Sequence, residues 1–183
     1  TGMDHGPDMG ALLPLIGEPD DAMAALAPYK QLFPAELDRR MAAKLGYAQA
    51  SDGTRALVGE LLKLMTRERT DWTIFWRRLA EHAAGAPADT VRDLFHDRAA
   101  VNSLLLQYKE LSALDGRAPD ADLMLKSNPA IVLRNHLAEQ AIALAKQKDF
   151  SMVEGLLAAL EAPFDEPAAH PEWAGFPPDW ASH

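Results

Sequence analysis

Cysteine is absent from the 183 residues. That excludes a disulfide framework, a thiolate nucleophile and Cys-ligated zinc, and the expected compartment is a reducing cytoplasm. No apolar run approaches the roughly 18 residues a membrane span requires, and Thr1 to Gly10 has neither the basic nor the apolar stretch of an export signal. Positive charge is scarce: 18 Lys and Arg stand against 27 Asp and Glu, a formal net charge of -9. Nucleic-acid affinity comes largely from neutralising phosphates, so no nucleic-acid partner is expected, and no membrane. Short catalytic signatures are missing too, including the G-x-x-x-x-G-K-S/T phosphate loop, G-x-G-x-x-G, the G-x-S-x-G elbow and H-E-x-x-H. No catalytic, cofactor-binding or metal-binding residue is assigned.

What the chain has is helical periodicity. At 48% hydrophobic and 25% charged it is long enough for one ordinary domain with a core. Leu57, Leu61, Leu64 and Met65 form one stripe, Trp72, Phe75, Trp76 and Leu79 a second, and Val101, Leu104, Leu105, Tyr108 and Leu111 a third. Breaks fall at Ser51-Asp52-Gly53, Thr70-Asp71, Ala86-Pro87, Gly116 to Pro119 and Asn128-Pro129. The expected fold is all-α, an irregular bundle of about eight helices over 8–16, 20–45 (interrupted by Pro28 and Pro34), 53–68, 71–84, 88–95, 98–114, 129–147 and 151–160, with a further turn over 120–126. The last two should form an antiparallel hairpin, with capping-box spacing from Ser151 to Glu154 and with Phe150, Val153, Leu156, Leu157 and Leu160 facing neighbours.

Three segments follow: residues 1–10, a disordered or expression-derived N-terminus; 11–162, the helical domain; and 163–183, an extended arm packed on it. Five prolines lie between 163 and 178, no Lys or Arg follows Lys148, and seven acidic residues occur from Asp149 onward. Phe164, Trp173, Phe176 and Trp180 are spaced as anchors. The arm's acidic groups match the basic residues Arg67, Arg69, Arg77 and Arg78 in sign, so two readings stand: docking there, or two solvated faces.

The segment from Asn128 to Gln147 reads as the best-specified helix, with Asn128 as N-cap and Pro129 at N1. On a 100° wheel Arg134 and Asn135 fall among apolar positions. A guanidinium so placed needs a carboxylate or several carbonyls as partners, or else serves a phosphate; the first reading is preferred. His136 and Glu139, three apart, read as a solvated pair opposite the apolar stripes rather than half of a metal site.

The block Asn128-Pro129-Ala130-Ile131-Val132-Leu133-Arg134-Asn135-His136-Leu137-Ala138 resembles the N-P-x-x-V-L-R-N-x-L-A signature of the selenoprotein O family. Matching blocks precede it in the family's order: Arg40 to Gly46, Leu64 to Trp72 (with Arg67, Glu68 and Asp71) and Asp97-Arg98-Ala99-Ala100. Pro163-Phe164 and Pro177-Pro178-Asp179-Trp180 follow. The resemblance implies the carboxyl-terminal helical region of a kinase-like protein adenylyltransferase, an enzyme that transfers AMP from ATP, with magnesium, to protein hydroxyls. The family's nucleotide and metal ligands lie upstream and have no counterpart here. Asp4-His5-Gly6-Pro7 is similar to a metal-holding D-Y-G-P segment, but the stretch that should follow it is missing, so it assigns no ligand. The resemblance therefore implies a non-catalytic region whose motif residues Arg67, Glu68, Asp71, Asp97, Arg98, Asn128, Pro129, Arg134, Asn135, Pro178, Asp179 and Trp180 are structural. Its expected partner is the missing kinase-like lobe. The alternative is a stand-alone helical protein-interaction module, and an uncovered apolar face makes a homo-oligomer an expectation in either case.

Overall fold

The computed structural model describes residues 24 and 26–181. They fall into two units, one up to Arg39 and one from Arg40 onward, a division inside the span expected to be one helical domain. The structure is all-helical, as the apolar spacing predicts. Eight α-helices occur among the described residues: α1 (Tyr29–Lys44), α2 (Asp52–Glu68), α3 (Trp72–Ala83), α4 (Asp89–Arg92), α5 (Arg98–Asp115), α6 (Ala121–Ser127), α7 (Asn135–Ala145) and α8 (Ser151–Glu161). Two 3₁₀ turns, Pro171–Ala174 and Asp179–Ala181, break up the arm that the prolines predicted to be free of helix. The expected helix over 8–16, the segment 1–10 with its Asp4-His5-Gly6-Pro7 motif, and Ser182 and His183 lie outside the described residues.

In the first unit the carbonyl of Pro28 accepts from the amides of Gln31 and Leu32 at 3.1 and 2.9 Å, which sets the start of α1. Tyr29 and Phe33 stack one turn apart, ring centroids 5.1 Å. Pro34 does not interrupt the helix as expected; in its second turn the missing amide costs a single i→i−4 bond.

The core of the second unit comes from the stripes read in the sequence. Leu57, Leu61, Leu64 and Met65 of α2 pack with Phe75, Trp76 and Leu79 of α3 and with Val101, Leu104, Tyr108 and Leu111 of α5. Four helices start where a side-chain cap dictates. Ser51 and Thr54 exchange side-chain-to-amide bonds at 3.1 and 2.8 Å before α2, Asp71 accepts from the Ile74 amide at 2.9 Å before α3, and Asp97 and Asp120 do the same for α5 and α6. At the end of α1, Gly46 takes φ +89° and its carbonyl accepts from the Asp120 amide at 3.0 Å, joining the α1 terminus to the start of α6. A Cβ at Gly46 would lie 2.8 Å from that amide nitrogen, so both the dihedral and the space require glycine. Trp72, expected in the core stripe, is 45% exposed at its edge. Of the expected 88–95 helix, one turn forms as α4.

The largest departure is at Asn128-Pro129. Residues 129–134 are not helical, and α7 begins at Asn135. The amides of Ala130 and Ile131 instead both donate to the Pro163 carbonyl, at 2.8 and 3.2 Å. A pairing to a segment far along the chain thus overrides the local capping signal. In α7 the buried residues are His136, Leu137 and Ala141, so one wheel stripe faces inward while Asn135 and Ile142 of the other are exposed. His136, read as solvated, is buried; Glu139 is exposed. α8 packs back on α7, but Ser151 is not its cap: Phe150 precedes the helix without a side-chain bond, and Asp149 accepts from the Ser151 amide at 3.0 Å. Only one face of α8 is covered, so Leu156 is buried while Phe150, Val153 and Leu157 are exposed. Ile131, Leu137, Ala141, Leu156 and Trp173 of the arm form a second apolar cluster.

Candidate functional site at the Asp71–Arg134 junction

The motif blocks converge on the turn between α2 and α3. Arg134, half-sheltered at the last extended position before α7, sends Nη1 to Asp71 Oδ2 at 2.6 Å and Nη2 to Asp71 Oδ1 at 3.1 Å. This two-pronged ion pair, with side chains 15% and 17% exposed, is the carboxylate partnership the sequence demands of Arg134, although an extended segment rather than a helix delivers it. Burial acts to raise the Asp71 pKa, but the hydrogen bonds from Arg134 and the Ile74 amide, with the arginine's charge, more than offset it. Its carboxyl is held below the ordinary range.

Asn128, in the same motif block as Arg134, is almost wholly buried. It caps no helix start. Its Oδ1 accepts from Lys44 Nζ at 3.0 Å and its Nδ2 donates to the Lys44 carbonyl at 3.2 Å, tying the end of α6 to the end of α1. The Lys44 ammonium also donates to the Ser127 carbonyl at 3.2 Å and stands over the rings of Trp72 and Trp76, 5.8 and 5.6 Å from their centroids. These are dipolar and π partners, so burial is uncompensated by any full negative charge and lowers the Lys44 pKa. Lys44 is the polar residue that sequence reasoning missed; its place in the Arg40-to-Gly46 block was the available signal.

Arg77 fixes the arm. Its Nη1 donates to the carbonyls of Asn128, Phe164 and Leu125 at 3.2, 3.3 and 3.4 Å, and its Nη2 meets the Glu166 carboxylate. The neighbouring Arg78 guanidinium lies 5.6 Å from the ring centroid of Phe176. Of the arm's acidic groups Glu166 meets Arg77, while Arg78 meets an aromatic ring and Arg67 pairs with Glu68 and Asp97 instead. Further along, Trp173 is buried and stacks on His170 at 3.9 Å, and Trp180 meets His136 edge to face at 6.1 Å. Pro178 and Asp179 shape the last turn, where the Ala181 amide donates to the Pro178 carbonyl at 2.8 Å.

The remaining motif residues form a separate, more exposed network. Glu68 accepts from the amides of His96 and Asp97 at 3.0 and 3.3 Å and from Arg67 at 3.2 Å, while Arg67 reaches Asp97 at 2.7 Å. Arg98 pairs with Asp93 at 2.6 Å on the surface. Exposed pairs of this kind contribute little stability; Glu68, by bonding the amides that lead into α5, fixes the loop. Pro129 is half-buried at the start of the extended segment, and Asn135 is exposed. Arg134, Asp71, Glu68, Arg67, Asp97 and Arg98 thus each have a partner within the chain.

A family model described as Protein adenylyltransferase SelO matches residues 9–161. The chain is 58% identical over 172 residues to the protein nucleotidyltransferase YdiU of Variovorax paradoxus (strain S110), covering 94% of this chain and 35% of that protein. It is 54% identical to the protein of the same name from Albidiferax ferrireducens and 44% identical to that from Paraburkholderia xenovorans, covering 36% of each. The chain thus spans about a third of the length of the curated relatives it matches. With a family match across most of its residues, the chain belongs to the protein adenylyltransferase SelO family.

Proposed function

We propose that this chain is the carboxyl-terminal helical region of a SelO-type protein adenylyltransferase and that it is itself non-catalytic, bracing a kinase-like lobe and shaping the surface that meets the protein substrate. The observation that supports this most directly is the use of the motif residues. Arg134 and Asp71 pair with each other, Asn128 with Lys44, and Glu68 with two backbone amides, which leaves none of them to a nucleotide. Among the described residues no three His, Asp or Glu side chains gather as a metal site needs. The residues described here do not fit a magnesium–nucleotide site, and no step of AMP transfer is assigned to them. ATP, magnesium and the transfer chemistry belong to the whole enzyme, working in the cytoplasm.

A second reading, a stand-alone helical interaction module, draws on the exposed apolar residues Ile142, Phe150, Val153 and Leu157 of the α7–α8 hairpin. In the first reading the lobe covers that face; in the second a separate protein or another copy does. Complementation separates them. A full-length relative lacking the matching helical region should lose AMP transfer to protein and regain it when this chain is added in trans. AMP transfer by the chain alone, or heat on titrating it with millimolar ATP and magnesium, refutes the non-catalytic assignment. Failure of complementation, with sedimentation showing self-association through the hairpin, favours the module.

A further inference from the structure

Beside the junction, between the α2–α3 turn and the loop before α5, lies a cleft of about 260 Å³ walled on one side by Phe176 of the arm. Its three carboxylates are already engaged: Glu68 by Arg67 and two amides, Asp71 by Arg134, and Asp93 by Arg98. Two other polar side chains there are not. Arg69 and His96 line the same cleft, and neither side chain has a hydrogen-bond or ion-pair partner among the described residues. Thr70, between Arg69 and Asp71, also lines it, with a hydroxyl shielded from solvent and unpartnered within the chain. A buried orphan hydroxyl is uncommon, and a shift of the cleft wall that opened it would offer a donor to an acceptor held by Arg69.

The backbone at Arg69 points the same way. Arg69 holds φ 53°, ψ 37° at the end of α2, with its amide bonded to the Thr66 carbonyl at 3.4 Å and the Thr70 amide to the Met65 carbonyl at 3.0 Å. Glycine takes this left-handed cap position without steric cost. Arginine is therefore not present for the backbone's sake; what it adds is a guanidinium at the cleft. The helix dipole favours a cation there, as at Lys148 after α7, but that preference does not supply a lined cleft with a waiting donor.

We propose that this cleft receives a carboxylate from a partner polypeptide, an acidic side chain with an apolar neighbour, and that Arg69 is the fork that binds it. Guanidinium and carboxylate match two-pronged, and Phe176 and Leu94 offer the apolar wall for the neighbouring residue. Charge argues for a singly charged ligand. Glu68, Asp71 and Asp93 line the cleft beside Arg69, so a doubly charged phosphate meets more repulsion there than a carboxylate does.

The test is an amide-resolved NMR titration of the chain with the capped peptide Leu-Glu-Leu and its Leu-Gln-Leu counterpart, and with inorganic phosphate. The acidic peptide should shift the amides of Arg69, Thr70 and His96 saturably, and Arg69→Gln should weaken it about tenfold or more. Arg69→Gly should lose binding equally while melting no lower than the parent chain, so that the loss is not unfolding. Equal shifts from the Gln peptide, undiminished affinity of Arg69→Gln, or tighter binding of phosphate than of the acidic peptide overturns the proposal.

Discussion

Asp71 and Arg134 share one carboxylate oxygen between two tasks: Oδ1 accepts from the Ile74 amide at 2.9 Å and from Arg134 Nη2 at 3.1 Å, so the group that caps α3 also anchors the approach to α7. The two tasks separate by mutation. Asp71→Asn keeps an N-cap oxygen and loses the ion pair, whereas Asp71→Ala loses both, and the difference between them should be about 1 kcal/mol. Arg134→Ala leaves a sheltered carboxylate without its cation and should cost about 3 kcal/mol. Urea unfolding measures all three; a midpoint for Arg134→Ala equal to the parent's would show the pair to be idle.

The same carboxylate sets an acid limit. Because the folded-state pKa of Asp71 lies below its unfolded value, its contribution is complete above the unfolded pKa of about 4 and is lost as pH falls through the folded one. Glu68 is depressed too: burial acts to raise it and is outweighed by the Asp97 and His96 amides and Arg67, so it contributes with the same sign. Stability should therefore fall below about pH 4, with a shallower decline in Asp71→Asn. Denaturant midpoints across that range are the measurement, and parallel pH curves for the two chains would contradict the assignment.

Asn128 offers a test of tether against cap. Serine is as good an N-cap as asparagine, so at a true helix start Asn128→Ser would be nearly silent. Here the amide must both accept from Lys44 Nζ and donate to the Lys44 carbonyl, a span that serine cannot bridge. Asn128→Ser and Asn128→Ala should each cost about 2 kcal/mol, the penalty for leaving buried polar groups unpaired. Thermal melts of the two variants should coincide, well below the parent's.

At Gly46 the expected outcome is larger than its loop-like sequence context implies. Alanine there meets a left-handed dihedral and a backbone nitrogen at 2.8 Å, and should destabilise by about 2 kcal/mol or more. Gly85, with φ +109° and no atom within 4 Å of where a Cβ would stand, meets only the dihedral cost and serves as the control. Equal losses at the two positions would remove the close contact with Asp120 from the account.

The elements α2, α3 and α5 were legible in the sequence because cap and stripe agree there: Ser51, Asp71 and Asp97 precede runs whose apolar spacing buries one face. At Asn128-Pro129 the local chemistry of a helix start is present and tertiary demand defeats it, since Lys44 claims the asparagine and Pro163 claims the next two amides. Ion-pair partners were legible as a need, not as an identity. A half-buried Arg134 must find a carboxylate, but Asp71, 63 residues earlier, could be chosen only in three dimensions. Arg69 was legible as a basic residue but not as an unpartnered one: its sequence neighbourhood is crowded with acids, and each is spoken for by another group.

The extended stretch after Asn128 has a consequence for how the protein is made. Its amides wait for a carbonyl at Pro163, and the Asn128 carbonyl waits with Phe164 and Glu166 for the Arg77 guanidinium. On the ribosome, α2, α3 and α5 can assemble as they emerge, whereas the amides of Ala130 and Ile131 have only water to bond until Pro163 has cleared the exit tunnel. Emergence of Pro163 from the tunnel, rather than its translation, is therefore the event that lets the middle of the chain take its final conformation.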